Sequence, residues 1–213
     1  FDVIFAYGLF VTIAPLKIQG KLILGRGIRQ MSLNKTVVLV GMMGSGKTAV
    51  GKALAAELNV AFMDSDHEIS VAANRSIAEI FERDGEAIFR SAESKVIERL
   101  LLEAPSVLST GGGAFMSAYN RALISDLGVS VFLKVELELL WERVRSNDTR
   151  PLLKTPNPKA SLTQIFEDRE DQYKLADVSV RSNASCSIAQ TMQNILEALA
   201  QLPDVLSPRG DQS

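Results

Sequence analysis

The run Gly41-Met42-Met43-Gly44-Ser45-Gly46-Lys47-Thr48 constrains this chain more than any other stretch of its sequence. It matches GxxxxGK[ST], follows the β-branched run Thr36 to Val40 directly, and opens a helical pattern that reaches about Leu58. At ordinary residue frequencies such a pattern arises by chance in roughly one chain in a hundred of this size, before the strand and helix around it are required. The bland alternative is a glycine turn carrying a surface lysine. In the phosphate-binding alternative, the glycines let backbone N–H groups converge on phosphate oxygens, and the helix N-terminus adds partial positive charge. Gly44, Ser45, Gly46, Lys47, Thr48 and Ala49 are then the nucleotide-binding candidates. Lys47 would reach the β- and γ-phosphates, and the Thr48 hydroxyl would ligate Mg²⁺.

A strand followed by such a loop and a helix belongs to an α/β fold, and the rest of the chain keeps that alternation. Short β-branched runs at Thr36–Val40, Ala61–Met63, Val107–Ser109, Val129–Leu133 and Val178–Val180 predict five parallel strands, with 3.6-period helices between them. Ser76-Ile77-Ala78-Glu79 reads as a capping box ahead of a helix with Ile77, Ile80 and Phe81 on one face. Ser161-Leu162-Thr163-Gln164 repeats the device before Ile165 and Phe166, and Ile188, Met192, Ile195 and Leu199 form one stripe of a closing helix. Trp141, beside Leu137 and Leu140, reads as core packing. The 213 residues accommodate one such domain and little beyond it.

Composition narrows the function classes. A formal net charge of -2 provides no global basic field for nucleic acid. Cys186 and His67 are the only residues of their kinds, which rules out an intrachain disulfide, a multi-Cys or multi-His zinc site and a histidine triad. The lone cysteine favours a reducing compartment. Residues 1–34 read as an N-terminal extension, non-native, disordered or produced by a misplaced start, with Met31 standing just before the first motif-bearing strand. Its apolar run Val3–Ala14 is twelve residues long, too short to span a bilayer as a helix. Lys17, Lys21, Arg26 and Arg29 against Asp2 leave an organellar targeting segment as the alternative. The domain is expected over 35–203, and 204–213 form a polar tail.

Three later segments speak about the acceptor of the phosphoryl group. Asp64-Ser65-Asp66 follows the second strand; two acids there make a solvated turn or helix cap as readily as a site. In Gly85-Glu86-Ala87-Ile88-Phe89-Arg90-Ser91-Ala92-Glu93 a helix would put Arg90 and Glu93 on one face, where Glu93 could orient a guanidinium that grips a carboxylate. A surface ion pair is the alternative. Ser109-Thr110-Gly111-Gly112-Gly113 ends the third strand, where a glycine run serves close approach to a ligand or simply a tight turn.

Taken in order behind the P-loop, these segments resemble the D-x-D, G-E-x-x-F-R-x-x-E and glycine-run motifs of the shikimate kinases. Arg150-Pro151-Leu152-Leu153 is similar to that family's R-P-L-L. The resemblance covers about residues 35–200 and implies a P-loop NTPase fold with a mobile lid. It also implies transfer of the ATP γ-phosphoryl group to the shikimate 3-hydroxyl, in the biosynthesis of chorismate and the aromatic amino acids. It assigns Asp64, with Thr48, to Mg²⁺, through water in the case of Asp64, and Asp66 to the shikimate hydroxyls, as orienting group or base. It assigns Arg90, Arg169 and Gly111–Gly113 to shikimate, and Arg150 to the transferring phosphoryl group when the lid closes. An adenine-packing arginine is placed at Arg145, with Arg143 as the alternative. The family often has proline and leucine before the tyrosine of its Arg-x-x-x-Tyr stretch, whereas Asp171 and Gln172 precede Tyr173 here. Lys47, Asp66 and Arg150 are thus the catalytic candidates, in a cytoplasmic monomer without nucleic-acid or membrane partners. Gluconate kinases, nucleoside monophosphate kinases and a non-catalytic ligand sensor are the competing readings.

Overall fold

The computed structural model describes residues 31–146, 151–153, 155–202 and 204–208. A short strand, β1 (Met31–Leu33), precedes the five expected ones, β2 (Thr36–Val40), β3 (Phe62–Asp64), β4 (Val107–Ser109), β5 (Gly128–Lys134) and β6 (Val178–Arg181). These five pair in parallel in the order β3-β4-β2-β5-β6. β2 is central and buried along its whole length. Its period of two divides it, with Val37 and Leu39 facing one apolar cluster and Val38 and Val40 the other. The chain first places β3 and β4 on one side of β2 and then β5 and β6 on the other. The carboxyl end of β2 is therefore the switch point at which open α/β sheets bind ligands.

Two helices cover the first face. In α1 (Lys47–Leu58) Leu54 and Leu58 are buried, and in α7 (Ile188–Leu199) Ile195, Leu196 and Leu199 are buried against them. Burial of each such side chain contributes roughly 1.5–3 kcal/mol. α3 (Ile77–Leu101), α4 (Ala118–Leu127), α5 (Leu137–Val144) and α6 (Pro158–Tyr173) cover the opposite face through Ile97, Leu100, Ile124, Leu140 and Leu162. Trp141 packs partly buried against this cluster, as its sequence neighbours imply. The short α2 (Ser65–Ala73) sits with the first half of α3 around a small cluster of Ile69, Ile80 and Phe89. α3 breaks at Gly85, whose backbone is non-helical at φ 83° and ψ 168°.

Local chemistry explains where the elements depart from expectation. The Ser76 capping box forms, with Ser76 Oγ accepting from the Glu79 N–H and Glu79 accepting from the Ser76 N–H. The Ser161 box does not. α6 begins at Pro158, because Asn157 accepts from the Ala160 N–H and proline suits the first helical turn, leaving Ser161 already inside the helix. Ile188 is exposed at the start of α7, and Thr191 and Leu196 complete its buried face instead. The edges also differ. β1 pairs antiparallel with Leu206–Pro208 (β7), and Leu33, Val205 and Leu206 join the core. The ladder runs through stretches that the boundaries at 34/35 and 203/204 assigned to an extension and a polar tail. A three-residue strand with no periodicity of its own gives no sequence signal, so its partner had to be found in space. Residues 1–30 and Arg150 lie outside the described residues.

Candidate active site

The P-loop closes around β2 as the spacing requires. Gly44 (φ 80°) and Gly46 (φ 95°) adopt left-handed conformations, and a Cβ on Gly44 would meet Val144 Cγ1 at 2.7 Å. Gly46 is the N-cap of α1 and offers no side-chain cap, so the first-turn amides, those of Thr48 and Ala49 among them, are left for an anion. Lys47 Nζ lies across the loop, donating to Gly41 O (2.8 Å), Met42 O (2.9 Å) and Ser45 Oγ (3.4 Å). Of the two arginines considered for adenine, Arg143 reaches the loop, donating to Gly44 O at 3.1 Å. Arg145 instead ends α5, its backbone N–H bonding to Trp141 O. Arg143 shares its helical face with Val144 and Leu140, which pack against Gly44 of the loop.

Asp64 caps a helix and also faces Thr48. Its Oδ1 caps α2, accepting from the N–H of Asp66 (3.1 Å) and of His67 (3.4 Å), while its Oδ2 accepts from the Thr48 hydroxyl at 3.2 Å. A strand end and a helix start thereby bring one hydroxyl and one carboxylate together beside the phosphate loop. These are hard oxygen donors suited to Mg²⁺, which keeps several waters and takes further oxygens from substrate phosphates. Among the described residues no cluster of three or more His, Cys, Asp or Glu forms a metal cage, so the fit is to an ion of that partly hydrated kind.

Next to the loop opens a cleft of about 340 Å³ whose polar wall consists of Asp66, Arg90, Glu93, Arg169 and Gly111–Gly113. Met43, Ile77, Phe81, Phe89 and Leu152 supply an apolar wall, so residues from six separate segments meet there. Every sequence candidate for the acceptor side is present. Arg90 Nη1 donates to Glu93 Oε2 at 2.8 Å, its Nε and Nη2 donate to Glu86 Oε1, and its guanidinium lies 5.1 Å from the Phe89 ring centroid. The glycine run is required by space. A Cβ at Gly113 would lie 2.6 Å from Arg90 Cζ, and one at Gly111 would lie 2.7 Å from Asp66 Oδ1 and 2.9 Å from Glu93 Oε1. Ser65, between the two aspartates, accepts from the Gly111 N–H at 3.3 Å and ties the D-x-D turn to the glycine loop. That long-range bond has no trace in local sequence.

The electrostatics of the ion pair are uneven. Burial pushes the Glu93 carboxyl up to about 7, with Asp66 adding to the rise and Arg90 opposing it. Burial also works against the Arg90 charge, yet Glu93 and Glu86 together hold the guanidinium above its ordinary value. The contact thus favours the charged form of Arg90 while leaving that of Glu93 disfavoured. Glu93 is the more strongly perturbed of the two, because its side chain is 1% exposed against 28% for Arg90, which keeps part of its hydration.

Comparison with known proteins agrees with this geometry. The family model for shikimate kinase matches residues 43–200. The shikimate kinase of Ruegeria pomeroyi is 59% identical over 175 residues, covering 82% of this chain and 90% of that protein. That of Cereibacter sphaeroides is 58% identical over 174 residues, covering 82% and 87%. Among solved structures, the shikimate kinase of Acinetobacter baumannii in complex with shikimate superposes with a TM-score of 0.74 at 37% identity, covering 78% of this chain and 93% of that one. With the P-loop, the D-x-D turn, the paired arginines and the glycine loop converging on one cleft, this chain belongs to the shikimate kinase family.

Proposed function

We propose that this chain transfers the γ-phosphoryl group of ATP to the 3-hydroxyl of shikimate, giving ADP and 3-phosphoshikimate. The observation that carries the reading is the convergence of Asp66, Arg90, Arg169 and the glycine loop in a cleft that Met43 of the P-loop also lines. A small acid with hydroxyl groups matches it: two guanidiniums for a carboxylate, one carboxylate for hydroxyls, and an apolar wall for a ring face.

In the transfer, a bond forms between the acceptor oxygen and the γ-phosphorus, the bond to the β–γ bridging oxygen breaks, and the hydroxyl proton passes to Asp66. Such a loose transition state asks chiefly for alignment and charge neutralisation. Lys47 and the amides from Gly44 to Ala49 hold the phosphates, and Arg143 is better placed than Arg145 to pack on the nucleotide. Mg²⁺, held by Thr48 and, through water, by Asp64, would neutralise phosphate charge. Arg90, Arg169 and Gly111–Gly113 orient the acceptor. Arg150 adds positive charge at the transferring group on lid closure; Leu152, two residues further on, lines the cleft and supports that assignment. The reading is of a monomer acting in the cytoplasm. No helix among the described residues is long and apolar enough to cross a membrane.

Coupled ADP-release measurements with shikimate, gluconate and nucleoside monophosphates, each against an acceptor-free control, test the reading. Shikimate alone should stimulate Mg²⁺-dependent release. Equal stimulation by another acceptor, or none by any, refutes it.

A further inference from the structure

Tyr173 has no part in the roles assigned above, yet it joins three elements of the site. It ends α6 with its ring 1% exposed and stacked on Phe132 of β5, centroids 5.1 Å apart and planes 18° from parallel. The ring alone would satisfy packing. The hydroxyl does something more specific, donating to the carbonyl of Gly112 in the glycine loop, with Met42 Sδ of the P-loop 3.9 Å away. Burial pushes the phenol up to about 12, against the opposing influence of the Arg169 guanidinium one turn earlier on the helix. The hydroxyl therefore keeps its proton and donates it to Gly112 O, with its lone pairs left to face a donor such as the neighbouring guanidinium. Gly112 and Arg169 are close themselves, since a Cβ on Gly112 would lie 3.7 Å from Arg169 Nη1.

We propose that Tyr173 is a positioning residue for acceptor binding, its hydroxyl joining the Gly112 carbonyl and the Arg169 guanidinium into one preset anion cradle. The inference rests on the acceptor reading above. Two physical consequences support it. In a planar trans peptide, fixing the Gly112 C=O toward Tyr173 turns the N–H of Gly113 the opposite way, so the hydroxyl sets which loop amides are presented. An unanchored arginine loses considerable rotamer freedom on gripping a carboxylate, whereas one already held by Tyr173 loses less, and the acceptor binds tighter by that difference.

Tyr173→Phe keeps the stacked ring and removes only the hydroxyl. Titration calorimetry and steady-state kinetics should show Kd and KM for shikimate rising about tenfold, with kcat reduced less than about threefold and the KM for ATP within about twofold of wild type. In an Arg169→Ala background the same substitution should raise the shikimate KM by no more than about twofold, because the group it positions is gone. A loss of folded protein would appear in the calorimetric stoichiometry and leave Kd unaffected. A shikimate Kd within about twofold of wild type, equal penalties in both backgrounds, or equal weakening of ATP and shikimate overturns the proposal. A wild-type chain that neither binds nor phosphorylates shikimate refutes the acceptor reading itself, a different outcome from the failure of the Tyr173 comparison alone.

Discussion

Replacing Glu93 with Gln tests how far the acceptor cleft works against the stability of the fold. Burial holds this carboxyl at about 7 against an ordinary 4.5. The folded chain thus binds a proton here more tightly than the unfolded chain does. The stability linked to this group is therefore present in full below about 4.5 and is lost as pH rises through about 7. The separation of the two values corresponds to about 3 kcal/mol, of which about 2–3 kcal/mol falls between pH 5 and pH 8, because the unfolded carboxyl is already partly ionised at pH 5. Glu93→Gln preserves shape and removes the titration, leaving Arg90 Nη1 a neutral acceptor at every pH. Urea unfolding of both proteins at pH 5, 6, 7 and 8 isolates the effect, since groups titrating elsewhere cancel in the difference. The stability of wild type relative to the variant should fall by about 2–3 kcal/mol across that range. A difference constant to within about 0.5 kcal/mol would show that Glu93 is ionised throughout, and the account of its burial would be wrong.

Gly113→Ala should separate binding from folding: its Cβ would fall 2.6–2.7 Å from Arg90 Cζ and Nη1, the movable end of a long side chain. The melting temperature should stay within about 2 °C of wild type, while the shikimate Kd rises at least about tenfold as the guanidinium is displaced; an unchanged Kd would remove Arg90 from the acceptor grip. A chain shortened to start at Lys35 loses Leu33 and the β1–β7 ladder, so relative to one starting at Met31 it should lose about 2–3 kcal/mol. That corresponds to roughly 5–10 °C in Tm, and equal melting temperatures would show the ladder to be ornamental.

The contrast between Lys47 and Tyr173 explains how much of this site the sequence could disclose. Lys47, Thr48 and the P-loop glycines act within eight consecutive residues, so their geometry is set by a strand, a loop and a helix that the local pattern already specifies. The central sheet was legible for the same reason, since Thr36–Val40 and Val107–Ser109 are short buried runs bounded by turns. Asp66, Arg90 and Gly111–Gly113 were recognisable as motifs, but their convergence depends on β3 and β4 lying side by side and on α3 bending at Gly85. The remaining contacts are pairings across the fold: Ser65 with Gly111, Arg143 with Gly44, Tyr173 with Gly112, and Met31–Leu33 with Leu206–Pro208. None leaves a periodicity, because each side is a single polar atom or a three-residue edge. Three of these four pairings lie around the loops that hold phosphate and acceptor. Long-range polar ties are what convert flexible glycine loops into a preset site, and a glycine run alone does not indicate which distant side chain will hold it.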